Sequence, residues 1–408
     1  MPDPFDRPGP NQPGRNRPGP NRPGLNRPGL NQPGLNQPGL RRRSLLFAPA
    51  LACTGIALDA QGQPAPRIPV PELDSLTIRV VTDGQHNIFI SGAQVPGIRV
   101  ARTRGFSGAQ QNRSLRSEWG LSLHLTSNIG DVSKRFLLDF GWTPEVLNNN
   151  LELLRIDVAA LDALIVSHGH LDHFGGLEGF LARHRASMRD DLALYLGGED
   201  AFCYRHQAAG NGAFATFGLL DRRSLAAARV RPVLSEAPLV IEGQAFTTGI
   251  VPRTSIERVL PNTFVEFGAR DGAGCNTADY ASQHFTPAEL SGQPMPDQHL
   301  HEHGTCFHVK GRGLVVITSC GHAGIVNTVR RARQVSGVER VHALVGGFHL
   351  SPASPDYLRR VMAELKTLDI DHLFPMHCSG QNFIDAVKRE MPQTLVECTT
   401  GSSFTFGV

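Results

Sequence analysis

Short apolar runs alternate with amphipathic stretches from residue 76 to the end of the chain. Runs rich in Leu, Ile, Val and Phe predict strands at residues 76–81, 121–125, 135–141, 161–166, 314–317 and 343–345. Helices are predicted at residues 146–154, 174–184 and 355–368, and the apolar residues 373–377 follow the last of them. Strands mixed with flanking helices indicate an α+β fold in which two sheets pack together between helical layers.

The first forty residues repeat a five-residue unit, such as Arg-Pro-Gly-Pro-Asn from Arg7, with proline and glycine in each copy. Proline and glycine at this density remove helix and strand options, and the segment offers almost no apolar area to bury. We therefore predict that residues 1–40 are disordered. A tether, a repeat expansion and an over-long start of the reading frame are all compatible with such a repeat.

Residues 41–60 have the layout of an export signal. The basic cluster Arg41-Arg42-Arg43 precedes a modest apolar stretch and the small residues of Ala50-Leu51-Ala52. The paired arginines before Ser-Leu-Leu-Phe resemble a twin-arginine signal, and the apolar stretch is too short for a permanent transmembrane anchor. We therefore predict a periplasmic or secreted protein; the alternative is a cytoplasmic protein with a basic start. Residues 61–74 are interpreted as a linker, and residues 75–408 as one domain.

Composition narrows the range of partners. Of 408 residues, 40% are hydrophobic and 19% charged, which is ordinary for a globular protein with a real core. The formal net charge of +3 is small, so a nucleic-acid partner is not indicated. The 7 cysteines show no close-spaced disulfide framework, and Cys320 and Cys378 each stand near a histidine. A small-molecule substrate is therefore expected, and the oligomeric state stays open.

The strongest chemical signal is the loop 167–176, which follows the apolar run 161–166. It contains three histidines and one aspartate within six positions, namely His168, His170, Asp172 and His173. His168 and His170 can point to one side and bind one ion, whereas Asp172 and His173 can begin the shell of a second. Imidazole and carboxylate ligands suit zinc and similar divalent ions.

The remaining ligands must come from distant loops, and three histidines have a suitable setting. His322, His349 and His377 each follow an apolar run and stand beside glycine or other small residues. A second histidine-rich run at 299–303 lacks this setting. We predict that it forms a surface strand or loop, with incidental metal binding possible.

The run from His168 to His173 matches the His-x-His-x-Asp-His motif of the metallo-β-lactamase superfamily, which the chain resembles from about residue 76 onward. The segments 320–327, 347–350 and 377–380 resemble a branch of metal-dependent hydrolases that includes dihydropterin ribofuranosylaminobenzene phosphate synthases. The resemblance implies an αββα sandwich with metals at one sheet edge. It also implies six metal ligands: His168, His170, Asp172, His173, His322 and His377.

The chain departs from the superfamily pattern in three places. No aspartate that would bridge two metals follows the strand at 314–317, where Cys320 and His322 stand instead. The loop 249–253 lacks a histidine, and Trp119 stands where the branch usually has one. One or two ions, most simply zinc, are therefore compatible with the sequence, and either Cys320 or His322 could replace the missing aspartate.

These features predict an exported hydrolase in which a metal-activated water attacks an ester, lactone, amide or phosphoester. Asp172 is predicted to bind metal and to orient the water, and Asp139 to support a ligand histidine. Arg253 is a candidate for binding an anionic group of the substrate. Further candidates for roles beside the metal are Cys320, His349 and Cys378.

Two other functions stay open. The fold also permits a non-catalytic metal site that binds a small ligand or acts as a sensor. Synthesis of a methanopterin-type pterin precursor follows from the family resemblance alone. Export argues against it, because its phosphorylated substrates are cytoplasmic.

Overall fold

The computed structural model describes residues 67–90, 92–260, 262–277 and 288–407. The predicted repeat at 1–40 and the predicted export signal at 41–60 lie outside the described residues. In the part of the chain that is described, no helix combines the length and the apolar character that a membrane crossing requires.

The described residues form short strands and a smaller number of helices. The strands of the first half are β1 Glu72–Leu73, β2 Ser75–Thr82, β3 Ile98–Arg102, β4 Ser122–Ile129, β5 Val132–Leu138, β6 Ala163–Ile165, β7 Ala193–Leu196, β8 Tyr204–Gly210, β9 Ala213–Thr216 and β10 Arg231–Leu234. Those of the second half are β11 Val240–Ile241, β12 Ala245–Thr247, β13 Phe264–Glu266, β14 Ala269–Arg270, β15 Ala273–Gly274, β16 Met295–Pro296, β17 Thr305–Val309, β18 Gly313–Thr318, β19 Val341–Gly347, β20 Ile370–Met376 and β21 Ser402–Phe406. The α-helices are α1 Pro144–Leu153, α2 Leu171–Phe174, α3 Leu177–His184, α4 Arg222–Ala227, α5 Ile325–Ser336, α6 Pro355–Lys366 and α7 Gln381–Glu390.

Two large sheets contain most of these strands. The first sheet has the order β10-β7-β6-β5-β4-β2-β21-β3, and its strands β5, β6, β7 and β10 run parallel. The second sheet has the order β11-β12-β17-β18-β19-β20, with β1 paired to β17, and its strands β18, β19 and β20 run parallel. Two smaller sheets have the orders β16-β13-β8-β9 and β14-β15.

The two large sheets bury their facing sides in one common core. Alternate residues of a strand point to opposite faces. Leu76, Ile78 and Val80 of β2 share this core with Phe307 of β17 and Phe374 of β20. The outer side of the first sheet packs against α1 and α3, and the outer side of the second packs against α5, α6 and α7. The predicted α+β fold, an αββα sandwich, is confirmed.

Most predicted elements in the described range are present. The strands predicted at 76–81, 314–317 and 343–345 lie inside β2, β18 and β19, and the helices predicted at 146–154 and 355–368 correspond to α1 and α6. Thr143 begins α1 by accepting a hydrogen bond from the Val146 amide, and Pro144 follows at the first position of the helix. Local propensity and capping therefore suffice for these elements.

Two predicted elements differ beside the histidine-rich loop. The single helix predicted at 174–184 is divided into α2 and α3 at Gly175 and Gly176. A Cβ on Gly175 would lie 2.2 Å from the Trp142 carbonyl oxygen, and one on Gly176 would lie 2.2 Å from the Phe140 carbonyl oxygen. The strand predicted at 135–141 ends at Leu138, because Asp139 has a positive φ of 59° and turns the chain.

The described part of the predicted linker is attached to the domain. The Ile68 amide donates to the Val335 carbonyl oxygen in α5 at 3.0 Å, and β1 pairs with β17. The packed part of the chain therefore begins before the predicted boundary at residue 75.

The parallel strands of both sheets direct their following loops to one edge of the sandwich. Residues that follow β5 and β6 in the first sheet meet residues that follow β18, β19 and β20 in the second. The carboxyl ends of parallel strands are where open α/β sheets commonly carry their sites. Every predicted ligand histidine lies in or beside one of these loops.

Candidate metal centre

Three histidines from two sheets form the first half of the site. His168 and His170 follow β6, and His322 follows β18. One ligand nitrogen from each lies within 4.8 Å of the other two. Nε2 of His168 and Nε2 of His322 are buried and have no hydrogen-bond partner. Nε2 of His170 contacts the Thr263 hydroxyl at 2.7 Å.

The second half joins Asp172 and His173, at the start of α2, to His377, which follows β20. Nε2 of His173 and Nε2 of His377 are 3.2 Å apart, and Nε2 of His377 lies 3.3 Å from Oδ2 of Asp172. The other carboxylate oxygen of Asp172, Oδ1, is buried without a partner. Two converging imidazole nitrogens and an unsatisfied carboxylate oxygen fit a bound cation, because buried polar atoms otherwise have partners.

Asp139 binds both Ser167, at the start of the histidine loop, and His173, near its end. Its Oδ2 accepts hydrogen bonds from Nδ1 of His173 and from the Ser167 hydroxyl, each at 2.8 Å, and its Oδ1 accepts from the Ser167 amide at 2.8 Å. Because an ionised carboxylate only accepts, His173 must carry its proton on Nδ1. In the neutral ring this leaves Nε2, which faces His377, as the nitrogen that can bind a metal.

Burial sets the charge state of the cluster. It lowers the pKa of His168, His170 and His322 well below the usual 6.5, and neighbouring imidazoles lower it further. Neutral imidazole is the form that binds a metal. Burial alone would raise the pKa of Asp172, but His173 and His377 outweigh it, so the pKa of Asp172 is lowered and the carboxylate is ionised.

Two cysteines and one further histidine adjoin the six predicted ligands. Cys320 Sγ lies 3.1 Å from Cys378 Sγ, and the His349 amide donates to Cys378 Sγ at 3.2 Å. Nδ1 of His349 lies 3.7 Å from Cys320 Sγ. His349 and His377 both have positive φ, 44° and 49°. Strained backbone at two site residues is typical of functional positions.

Arg253 does not point into this cluster. Its guanidinium donates to the Gln298 side chain at 3.2 Å and to the Gln298 carbonyl oxygen. It is also absent from the residues that line the pocket beside the cluster. The structure therefore brings together every predicted site residue except Arg253.

The histidine-rich run at 299–303 is not a surface segment, and that prediction was wrong. His299, His301 and His303 are each at most 2% exposed. Nε2 of His301 accepts from the Gly169 amide at 2.8 Å, and His303 contacts the Val166 carbonyl oxygen at 3.2 Å. The run packs behind the histidine loop and fixes its backbone.

Charged partners surround this buried run, and two of them, Asp200 and Arg205, are far away in sequence. Nδ1 of His301 lies 2.9 Å from Oδ2 of Asp200, and the fully buried Arg205 pairs with Asp297 at 3.0 Å. His299 stacks on His322 with ring centroids 4.0 Å apart. The His-x-His-Glu-His spacing of the run was a visible signal, but its setting was misleading because partners such as Asp200 and Arg205 are far away in sequence.

The site opens into a small pocket. The pocket has a volume of about 140 Å³ and is lined by Trp119, His170, Asp172, Gln207, Phe217, Asn262, Thr263, Cys320, His322, His349, His377 and Cys378. A larger, mainly apolar cavity of about 740 Å³ lies beyond Leu171, but none of the clustered ligand residues lines it. The smaller pocket is therefore the one that gives access to the chemistry.

Trp119 forms one wall of this pocket. It is 53% exposed, and its ring centroid lies 5.0 Å from that of His377. An exposed indole at this position offers a flat apolar surface beside the second half of the site.

A disulfide links Cys203, just before β8, with Cys275, just after β15, across 72 residues of sequence. The absence of a close-spaced framework had given no hint of this pair. Among the described residues, the free cysteines are Cys306, Cys320, Cys378 and Cys398.

The comparisons with known proteins agree with this geometry. The family model described as "Metallo-beta-lactamase superfamily" matches residues 128–189, which include the histidine loop. A solved structure of Tm1679, described as a metal-dependent hydrolase of the β-lactamase superfamily, matches with a TM-score of 0.55 at 21% identity, covering 80% of this chain and 98% of that one. The chain therefore resembles the metallo-β-lactamase superfamily over residues 128–189 and shares the fold of Tm1679.

The resemblance to the predicted branch is also supported. The chain is 26% identical over 272 residues to 7,8-dihydropterin-6-methyl-4-(β-D-ribofuranosyl)-aminobenzene-5′-phosphate synthase of Methanocaldococcus jannaschii, covering 67% of this chain and 84% of the relative. It is 26% identical over 250 residues to the protein MJ0448 of the same organism, covering 61% of this chain and 80% of that protein. The resemblance inferred from the motifs is confirmed at this level.

Proposed function

We propose that the protein is an exported hydrolase that uses two divalent metal ions, most simply zinc, to cleave a small ester, lactone or amide. The observation that carries the proposal is the convergence of two ligand triads on one pocket. The first triad is His168, His170 and His322, and the second is Asp172, His173 and His377. Their buried atoms without partners suit cations, and imidazoles with one carboxylate form a typical zinc ligand set.

Divalent ions held here would lower the pKa of water and polarise a carbonyl oxygen. The chain's own residues prepare the site for this chemistry. Asp139 fixes the tautomer of His173, and the Asn262 side-chain amide contacts Nδ1 of His322 at 2.8 Å. Oδ1 of Asp172 is buried without a partner, so it is available to orient a water and accept its proton.

The pocket favours an uncharged substrate over a phosphoester. None of the described residues that line it is a lysine or an arginine, and Arg253 is engaged with Gln298. Dedicated recognition of a phosphate usually includes such a cation. Trp119 and Phe217 instead offer aromatic surface to an apolar or aromatic part of the substrate.

Export is supported by the disulfide between Cys203 and Cys275, because disulfides persist mainly in oxidising compartments. Replacing Arg42 and Arg43 with lysine in a tagged full-length chain is expected to retain the protein in the cytoplasm, whereas the wild type appears in the periplasmic or secreted fraction. A wild-type protein found only in the cytoplasm would contradict export.

The activity is tested by metal analysis together with a panel of aryl esters, lactones, amides, phosphomonoesters and phosphodiesters. We expect two ions per chain, turnover of the carbonyl substrates, and its loss in Asp172→Ala and His322→Ala. His308→Ala in β17 is the matched histidine control. Full metal content and activity in both site variants would refute the site.

The same panel separates the alternatives. The synthase activity named for the M. jannaschii relative is favoured only by the 26% identity, and turnover confined to phosphorylated substrates would support it. Bound metal, no turnover of any class and tight binding of a small molecule would support a sensor or binding protein.

A further inference from the structure

Cys320 occupies a position shared by both triads. Its Sγ belongs to three separate groups of potential ligand atoms that lie within 4.8 Å of one another. One group joins it to His168 and His173, a second to His322 and His349, and a third to His377 and Cys378. His168 and His322 are members of the first triad, whereas His173 and His377 are members of the second. The sulfur therefore lies beside both halves of the site.

The surroundings of Cys320 differ from those of an ordinary buried cysteine. Cys306 is also fully buried, but it packs with apolar residues such as Phe246 and Val316 in the core behind the second sheet. Cys320 is 3% exposed, and its sulfur is bordered by imidazoles and by Cys378. A cysteine used only for packing has no need of such polar neighbours.

The charge balance of the site calls for another anion. The first triad consists of three imidazoles, which supply no negative charge, and Asp172 is the only carboxylate in the second. Two divalent ions in this buried site would therefore be poorly neutralised by the six ligands alone. A thiolate at the position of Cys320 would add a negative charge between them, and zinc and related ions bind thiolate well.

We propose that Cys320, as a thiolate, is a metal ligand shared by the two halves of the centre, an inference that rests on the metal-dependent function proposed above. As the metal–sulfur bonds form, the thiol proton leaves to solvent, so the site gains an anion when it gains metal. Cys378, at 3.1 Å, contacts the Cys320 sulfur and orients it.

The test uses the full-length protein loaded with Co²⁺ under reducing, anaerobic conditions, with metal content measured in parallel. We expect a near-ultraviolet sulfur-to-cobalt charge-transfer band in the wild type. The band should persist in Cys306→Ser and Cys378→Ser and disappear in Cys320→Ser. Cys320→Asp should recover metal content without the band, which keeps the result interpretable if the serine variant binds poorly.

Full cobalt content without a charge-transfer band in the wild type would overturn the Cys320 assignment while leaving the hydrolase proposal intact. A band that survives in Cys320→Ser, or that is lost only in Cys378→Ser, would also overturn it. A disulfide between Cys320 and Cys378 in the fully loaded protein would do the same. A wild type that binds no metal would instead refute the proposed function itself.

Discussion

The carboxylate of Asp139 provides the sharpest test of how the ligand histidines are prepared. In Asp139→Asn the side chain keeps its size but loses its charge and one acceptor oxygen. If the remaining oxygen keeps its hydrogen bond from the Ser167 amide, the new NH₂ group faces Nδ1 of His173, which lies 2.8 Å from Oδ2 of Asp139 in the wild type. The His173 proton must then move to Nε2, which can no longer bind a metal.

The opposite orientation of the asparagine is also costly. The NH₂ group would then face the Ser167 amide, leaving a buried donor unsatisfied at a cost of about 1–3 kcal/mol. Loss of an orienting partner of a metal ligand typically weakens binding by roughly 10- to 100-fold, or about 1.4–2.8 kcal/mol. We therefore expect the Asp139→Asn variant to show this loss of zinc affinity together with a destabilised apoprotein.

Zinc affinity is measured by competition with a chromophoric chelator, and the apoprotein's free energy of unfolding by urea denaturation. Asp162→Asn is the matched control, because Asp162 pairs with Lys134 at 3.0 Å and accepts from the Arg135 amide, away from the site. Wild-type zinc affinity in Asp139→Asn, with the control also unchanged, would refute the tautomer argument.

Three further predictions concern the residues behind the site. Gly169→Ala should lower zinc affinity and activity, because a Cβ there would lie 2.5 Å from the Ala201 carbonyl oxygen and displace the loop; unchanged affinity would show that the loop tolerates the shift. His301→Leu removes the acceptor of the Gly169 amide and a contact with Asp200, so the free energy of unfolding should fall by about 1–3 kcal/mol. Urea titrations measure this change, and an unchanged free energy of unfolding would contradict a structural role for the run 299–303. The buried Glu257 carboxylate accepts hydrogen bonds from the Ile325 and Val326 amides at the start of α5. Burial raises the pKa of Glu257 from 4.5 to about 7, so the contribution of this group to the free energy of unfolding should be full below pH 4.5. That contribution should be lost as the pH rises to 7, by up to about 3 kcal/mol. Glu257→Gln should flatten that part of the stability–pH curve, and an unchanged slope would count against the assignment.

The part of the candidate site that could be predicted from the sequence is the part whose proposed ligands are close together in the chain. His168, His170, Asp172 and His173 stand together in one loop, so their spacing alone indicates metal chemistry. His322 could be added because strand ends carry functional loops. These predictions rest on local pattern, which a single sequence contains.

The remainder depends on contacts between distant segments. The run at 299–303 was predicted to be exposed, because neither the acceptor role of His301 towards Gly169 nor its contact with Asp200, about a hundred residues away, leaves a local pattern. Asp139 ends its strand early because its backbone turns to meet Ser167 and His173. Burial and strain of this kind arise only when the sheets assemble.

The central claim is that two ions bind at the two triads, and anomalous diffraction at the zinc absorption edge tests it most directly. In crystals grown with zinc, the account predicts one peak among His168, His170 and His322. A second peak should lie among Asp172, His173 and His377. Absence of both peaks in a fully folded protein, or zinc bound only at the run 299–303, would contradict the account.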